Sequence, residues 1–96
     1  MSDIPAIAAS AASEIRGCHE APAAQAKETF ARALLRIVRA RNERMRALPA
    51  ATAATDSELQ RLNAILSLMA GIEFPLGGFH RERLGQVEQA LQSLGA

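Results

Sequence analysis

Large apolar residues recur along this chain at intervals of three and four, which is the helical period, and nowhere alternate as in a strand. This spacing appears in four segments, and it predicts helices over residues 3–16, 22–48, 56–72 and 79–94. Residues that favour β-strands are scarce, because the chain has no Tyr or Trp and few β-branched residues. We therefore predict an all-α fold, a small four-helix antiparallel bundle in a single domain.

Local signals place the boundaries of these helices. Pro22 suits the first turn of the second helix, and Pro49 ends that helix before a low-complexity linker over residues 49–55. Thr55 and Glu58 have the spacing of a capping box, which predicts that Thr55 caps the third helix. A turn over residues 73–78 then leads into the last helix.

The second predicted helix is the longest, at about 26 residues or 39 Å for a rise of 1.5 Å per residue. Because 21 of the 96 residues are Ala, large apolar side chains are scarce, and one subunit has a modest core. We therefore expect this helix to complete the core by dimerisation. The predicted dimer interface is its apolar stripe, made of Phe30, Leu34, Ile37, Met45 and Leu48.

The segment from residue 71 to residue 84 concentrates the unusual residues of the chain. It combines Gly71, Gly77 and Gly78 with Pro75, a composition that favours an ordered turn. One interpretation is structural: Phe74, Leu76 and Phe79 close the end of the bundle. The other is functional, an exposed loop that binds a partner through Phe74, Leu76, Phe79, His80 and Arg83.

Arginines form a stripe along the second helix, although the formal net charge of the whole chain is only +1. The stripe can be a face that is solvated or paired with glutamates of other helices. The less favoured alternative is contact with nucleic acid, because aromatic residues that would stack on bases are not interleaved with the stripe. The candidate nucleic-acid contacts are Arg32, Arg36, Arg39 and Arg46.

Catalytic and metal-binding patterns are weak. Cys18, His19 and Glu20 are consecutive, and adjacent residues of a helix do not face one site. A small-ligand or metal site near His19 and His80 requires their two turns to meet. We expect no enzyme activity and no cofactor, because neither histidine has an orienting Asp or Asn nearby in the sequence.

The remaining sequence features indicate the cellular compartment of the protein. A single cysteine excludes an internal disulfide and favours a reducing compartment. No apolar run approaches the length of a membrane span, so we expect a cytoplasmic protein, and its Ala and Arg content suggests a bacterial one.

The leading hypothesis is a non-catalytic helical interaction protein, a homodimeric adaptor or regulator that binds another protein. The alternatives are a nucleic-acid-binding transcriptional regulator and a small-ligand or metal-binding protein.

Overall fold

The computed structural model describes residues 3–96, and within that range the chain is helical without strands, which confirms the predicted all-α fold. Four long helices and one short helix follow each other along the chain. Their bounds are α1 Ile4–Cys18, α2 Ala23–Ala47, α3 Ala50–Ala53, α4 Ser57–Met69 and α5 Gly78–Gly95.

The four long helices form a bundle in which each runs antiparallel to its neighbours. Helix α1 packs between α2 and α5, and α4 packs between the same two helices on the opposite side. Arg16 near the end of α1 reaches Glu88 of α5, with 2.9 Å between Nε and Oε2. The early part of α1 meets the end of α5, where Gly95 lies against Ala9.

The core runs along the axis of the bundle and draws large side chains from all four long helices. Its largest fully buried members are Ile15, Ile37, Leu62, Ile65, Met69, Leu84 and Leu91. Helix α1 adds three small buried residues, Ala8, Ala11 and Ala12, which let the neighbouring backbones approach closely. A Cβ atom added at Gly95 would lie 2.9 Å from the backbone nitrogen of Ala9. The Ala-rich first helix is therefore an integral part of the bundle.

The connection between α2 and α4 differs from the sequence expectation in two ways. The linker contains the short helix α3, which begins directly after Pro49. The N-cap of α4 is Asp56 rather than Thr55, and its Oδ2 accepts a hydrogen bond from the Leu59 N–H at 2.9 Å. The Thr55 hydroxyl instead donates to the Thr52 carbonyl at 3.2 Å. The cap lies one residue later than predicted because Arg44 also binds the Asp56 carboxylate and holds it at the start of α4.

Helix α4 ends at Met69, three residues before the predicted end. Gly71 has a φ of +87°, a conformation that glycine adopts without the steric cost of a side chain. The backbone therefore leaves the helical path before Ile72, and the residues that follow form the turn into α5.

Candidate functional site

The turn between α4 and α5 closes one end of the bundle. The ring of Phe74 lies edge-on to the ring of Phe30 in α2, with 5.5 Å between centroids and 62° between planes. Phe74 and Leu76 are half-buried and pack against the core. For these two residues the observed contacts match the structural interpretation of the turn.

Phe79, by contrast, faces solvent at the start of α5. Its side chain is 60% exposed, and the guanidinium carbon of Arg83 lies 4.7 Å from the centre of its ring. His80 is half-buried, and its Nδ1 accepts a long hydrogen bond of 3.4 Å from the Glu73 N–H. Of the five residues predicted to bind a partner, Phe79 is the most exposed, with Arg83 packed against it.

The α1–α2 turn does lie beside the α4–α5 turn, which was the condition for a site containing both histidines. A small cavity of about 120 Å³ separates the turns, and Cys18, His19, Phe74 and Leu76 contribute to its lining. The imidazole of His19, however, faces Glu88, with 3.7 Å between Nε2 and Oε1. The two histidines therefore have different partners.

The Cys18 thiol is unsuited to ligand binding. Its side chain is 1% exposed, and Sγ lies 3.5 Å from the Ala26 carbonyl oxygen. Burial raises the pKa of this thiol, and the nearby carboxylate of Glu14 raises it further. Within residues 3–96, no three His, Cys, Asp or Glu side chains are grouped so that they could hold a metal ion.

The arginine stripe is divided by its contacts. Arg36 forms an ion pair with Glu14 of α1 and donates to the Ser10 hydroxyl at 3.1 Å. Arg32 lies 3.9 Å from Glu28, one turn earlier in α2. Arg39 and Arg46 are exposed, and neither forms an ion pair within the part of the chain that the structure describes. Two of the four candidate nucleic-acid contacts are thus tied to the protein's own side chains.

The predicted dimer stripe is divided as well. Phe30 and Ile37 are buried in the core of their own subunit, because α2 turns that face toward α1 and α4. Leu34 and Leu48 are half-buried, and Met45 is 44% exposed. Phe30 and Ile37 are therefore unavailable to a second copy without disrupting the bundle.

Helix α2 has a second apolar seam, which faces outward. We call the set Ala31, Leu34, Leu35, Val38 and Met45 the α2 strip. Leu35 is 49% exposed and Met45 is 44% exposed, although both are large apolar residues. The predicted dimer stripe shares only Leu34 and Met45 with this set. In the sequence, the spacing 31, 35, 38 and 45 distinguishes the α2 strip from the core seam at 26, 30, 33, 37 and 40.

An open groove adjoins one end of the α2 strip. It has a volume of about 400 Å³ and lies between α2 and the residues that follow α4. Ala31 and Leu34 belong to both the strip and the groove, so the two form one continuous apolar surface. The other groove residues are Lys27, Phe30, Ile72, Glu73 and Phe74.

A larger groove, of about 440 Å³, lies at the opposite end of the bundle, where α1 and α4 begin and α2 ends. Its charged residues have both signs and partly neutralise each other: Arg44 Nη1 lies 3.5 Å from Glu58 Oε1. The guanidinium of Arg44 is also held by Asp56. This groove therefore has no uniform charge that would select a ligand.

Fold and surfaces together define a small helical bundle with an exposed apolar face on α2. Comparisons with protein-family models, curated proteins and solved structures found no match to this chain. Among residues 3–96, no helix is both long enough and apolar enough to cross a membrane.

Proposed function

We propose that this protein is a non-catalytic interaction protein that binds another protein through the α2 strip and the adjoining groove. One observation carries the proposal: the chain closes its core within one subunit, yet Leu35 and Met45 remain exposed on one side of α2. Large apolar side chains aligned on a helix face are typical of helix-docking surfaces. A cytoplasmic location is part of the proposal, supported by the single unpaired cysteine, Cys18.

Self-association through the same helix is a second candidate. The observation that favours it is that Leu34, Met45 and Leu48, three of the five predicted interface residues, lie outside the fully buried core. Light scattering over a range of concentrations tests it. A mass that stays near 10.2 kDa excludes a stable dimer, and a mass of twice that value, lost in Leu35→Glu/Met45→Glu, supports one.

Nucleic-acid binding through Arg32, Arg36, Arg39 and Arg46 remains a prediction that the contacts favour less. The ion pairs of Arg36 and Arg32 compete with phosphate for these guanidinium groups. Retention on heparin that collapses in moderate salt and is lost in Arg39→Gln/Arg46→Gln would support this alternative.

The experiment for partner binding compares two double variants with equal changes in net charge. Leu35→Glu/Met45→Glu places carboxylates on the α2 strip, whereas Ser67→Glu/Gln89→Glu places them on exposed positions of α4 and α5. Each variant is used as bait in its native cells, with melting temperatures measured beforehand. We expect a stoichiometric partner to be retained by the wild type and by the α4/α5 variant, and lost from the strip variant. Equal recovery with all three baits would contradict the proposal.

A further inference from the structure

We propose that the occupant of the α2 strip is an acidic amphipathic helix of a partner protein. This inference rests on the proposed function and adds the chemistry of the partner. It is carried by the charges that border the strip, because basic residues outnumber acidic residues there.

The positions of these charges follow from helix geometry, at about 100° per residue. Arg39 lies along one edge of the strip, one turn after Leu35, and Arg46 lies further along the same edge, which Glu28 also shares. Arg41 lies along the other edge, and Lys27 lies at the end where the groove opens. A helix that contacts the strip therefore has Arg39 and Arg46 on one side and Arg41 on the other.

These four cations, like Arg61, Arg81 and Arg83, have no ion-pair partner among residues 3–96. Arg16, Arg32, Arg36 and Arg44 each form an ion pair with a Glu or Asp of the same chain. Within residues 3–96, Lys27, Arg39, Arg41 and Arg46 form none. The described part of the bundle therefore leaves Lys27, Arg39 and Arg41 without a neutralising partner, whereas Arg46 also lines the mixed-charge groove at the end of α2.

Arg41 adds an independent observation. Its side chain is half-buried, and its Nε is buried without a hydrogen-bond acceptor among the described residues. A buried donor that lacks an acceptor is destabilising, and a carboxylate is the strongest acceptor that a protein partner can supply. The Nε atom itself is inaccessible, as is the unpaired Nε of Arg36, so an acidic side chain of the docked helix would bind the terminal Nη atoms of Arg41.

The same charges argue against a second copy of the chain as the occupant. When two strips pack around a twofold axis, any orientation places a basic edge opposite another basic edge. Glu28 could offset this repulsion, but it is already paired with Arg32. Charge complementarity therefore selects a partner with acidic residues beside its apolar seam.

The dimensions of the strip define the length of the partner segment. Ala31 and Met45 are separated by 14 residues, or about 21 Å along the helix axis. This length accommodates about four turns of a second helix, with apolar residues at i, i+4, i+7 and i+11. A large side chain at one end of that helix would enter the groove beside Ile72 and Phe74.

The experiment uses a synthetic amphipathic peptide with a leucine seam bordered by glutamates. Two comparison peptides keep its length: one replaces the glutamates with lysines, and one scrambles the sequence so that no seam remains. Binding to the full chain is measured by fluorescence anisotropy at low and high salt. Of the three peptides, we expect only the acidic one to bind, with an affinity that falls as the salt concentration rises.

Matched variants assign the binding to the strip. Arg39→Gln/Arg46→Gln removes two positive charges, and Ser67→Glu/Gln89→Glu adds two negative charges elsewhere, so their net charges are equal. We expect the first variant to raise the Kd of the acidic peptide by about tenfold or more. The second variant should bind within about twofold of the wild type, because its added charges are on exposed positions of α4 and α5 and are screened at physiological salt.

Several outcomes would overturn the inference. The first is equal binding of the acidic and basic peptides, and the second is peptide binding that Leu35→Ala/Met45→Ala leaves unchanged. The third is that no peptide binds, whereas duplex DNA or phosphatidylserine vesicles bind in a manner that depends on Arg39 and Arg46. If the cellular partner still depends on Leu35 and Met45 but the acidic peptide does not bind, the proposed function stands and this inference fails.

Discussion

Arg44 near the end of α2 holds Asp56 at the start of α4 through two hydrogen bonds, of 3.1 Å from Nε and 2.8 Å from Nη2. The same carboxylate caps α4 through the Leu59 N–H. One side chain therefore fixes both the beginning of a helix and its position against a neighbouring helix. This contact orients α4 after the α3 linker.

The first prediction concerns the pH dependence of this contact. The hydrogen bonds from Arg44, followed by that from the Leu59 N–H, lower the pKa of Asp56 below its ordinary value. A carboxylate with a lowered folded-state pKa stabilises the fold above its unfolded-state pKa of about 3.9, and this contribution is lost as the pH falls through the folded-state pKa. We expect Asp56→Asn to melt below the wild type at pH 7, with a difference that shrinks below about pH 4.

Asp56→Ala separates the cap from the charge, because Asn retains a capping oxygen and Ala does not. We expect thermal unfolding at pH 7 to rank the proteins as wild type, Asp56→Asn and Asp56→Ala in order of decreasing melting temperature. Identical melting temperatures of the wild type and Asp56→Asn at pH 7 would contradict the role of the Arg44 contact.

The second prediction compares two glycines of α5. Gly85 lies in the middle of the helix with nothing within 4 Å of an added Cβ, so Gly85→Ala should stabilise the protein by about 0.5–1 kcal/mol. An added Cβ at Gly95 would meet the backbone of Ala9 at 2.9 Å, so Gly95→Ala should not stabilise and should lower the melting temperature. Differential scanning calorimetry of both variants measures the contrast. An equal gain from both substitutions would mean that α1 and the end of α5 are not in close contact.

The third prediction tests the division of α2 between core and surface. Ile37 is fully buried, so Ile37→Ala should reduce the free energy of unfolding by about 2–5 kcal/mol. Leu35, two residues earlier, is 49% exposed, and Leu35→Ala should change it by less than about 0.5 kcal/mol. Urea denaturation at low protein concentration measures both values. A large loss from Leu35→Ala under these conditions would indicate that Leu35 belongs to a core or to a stable self-interface.

The fourth prediction concerns the reactivity of Cys18. Because the thiol is buried and its pKa is raised, a thiol reagent should react with the native protein far more slowly than with the protein in guanidinium chloride. Ellman's reagent at pH 8 gives both rates. Equal rates would show that the end of the bundle near the α1–α2 turn opens readily, since the thiol lies beneath that turn.

The candidate surface was only partly predictable from the sequence. Spacing placed Leu34 and Met45 on an apolar face of α2, but it also placed Phe30 and Ile37 there, and only packing separates them. Phe74 and Phe79 looked equivalent in the sequence; Phe74 contacts Phe30, and Phe79 faces solvent beside Arg83. The basic edges of the strip were visible as arginines, but which of them are neutralised depends on glutamates from other helices, as for Arg36 and Glu14.

The amino-acid sequence by itself determined that this protein is helical and approximately where its four long helices lie, because apolar periodicity and the positions of Pro and Gly act within a few residues. It did not determine which side of a wide apolar helix becomes the core. That was decided by tertiary packing: Ala-rich α1 approaches closely enough, with Gly95 against Ala9, for the bundle to close around Ile37. Leu35 and Met45 remain on the outside because burial depends on neighbours far away in the chain.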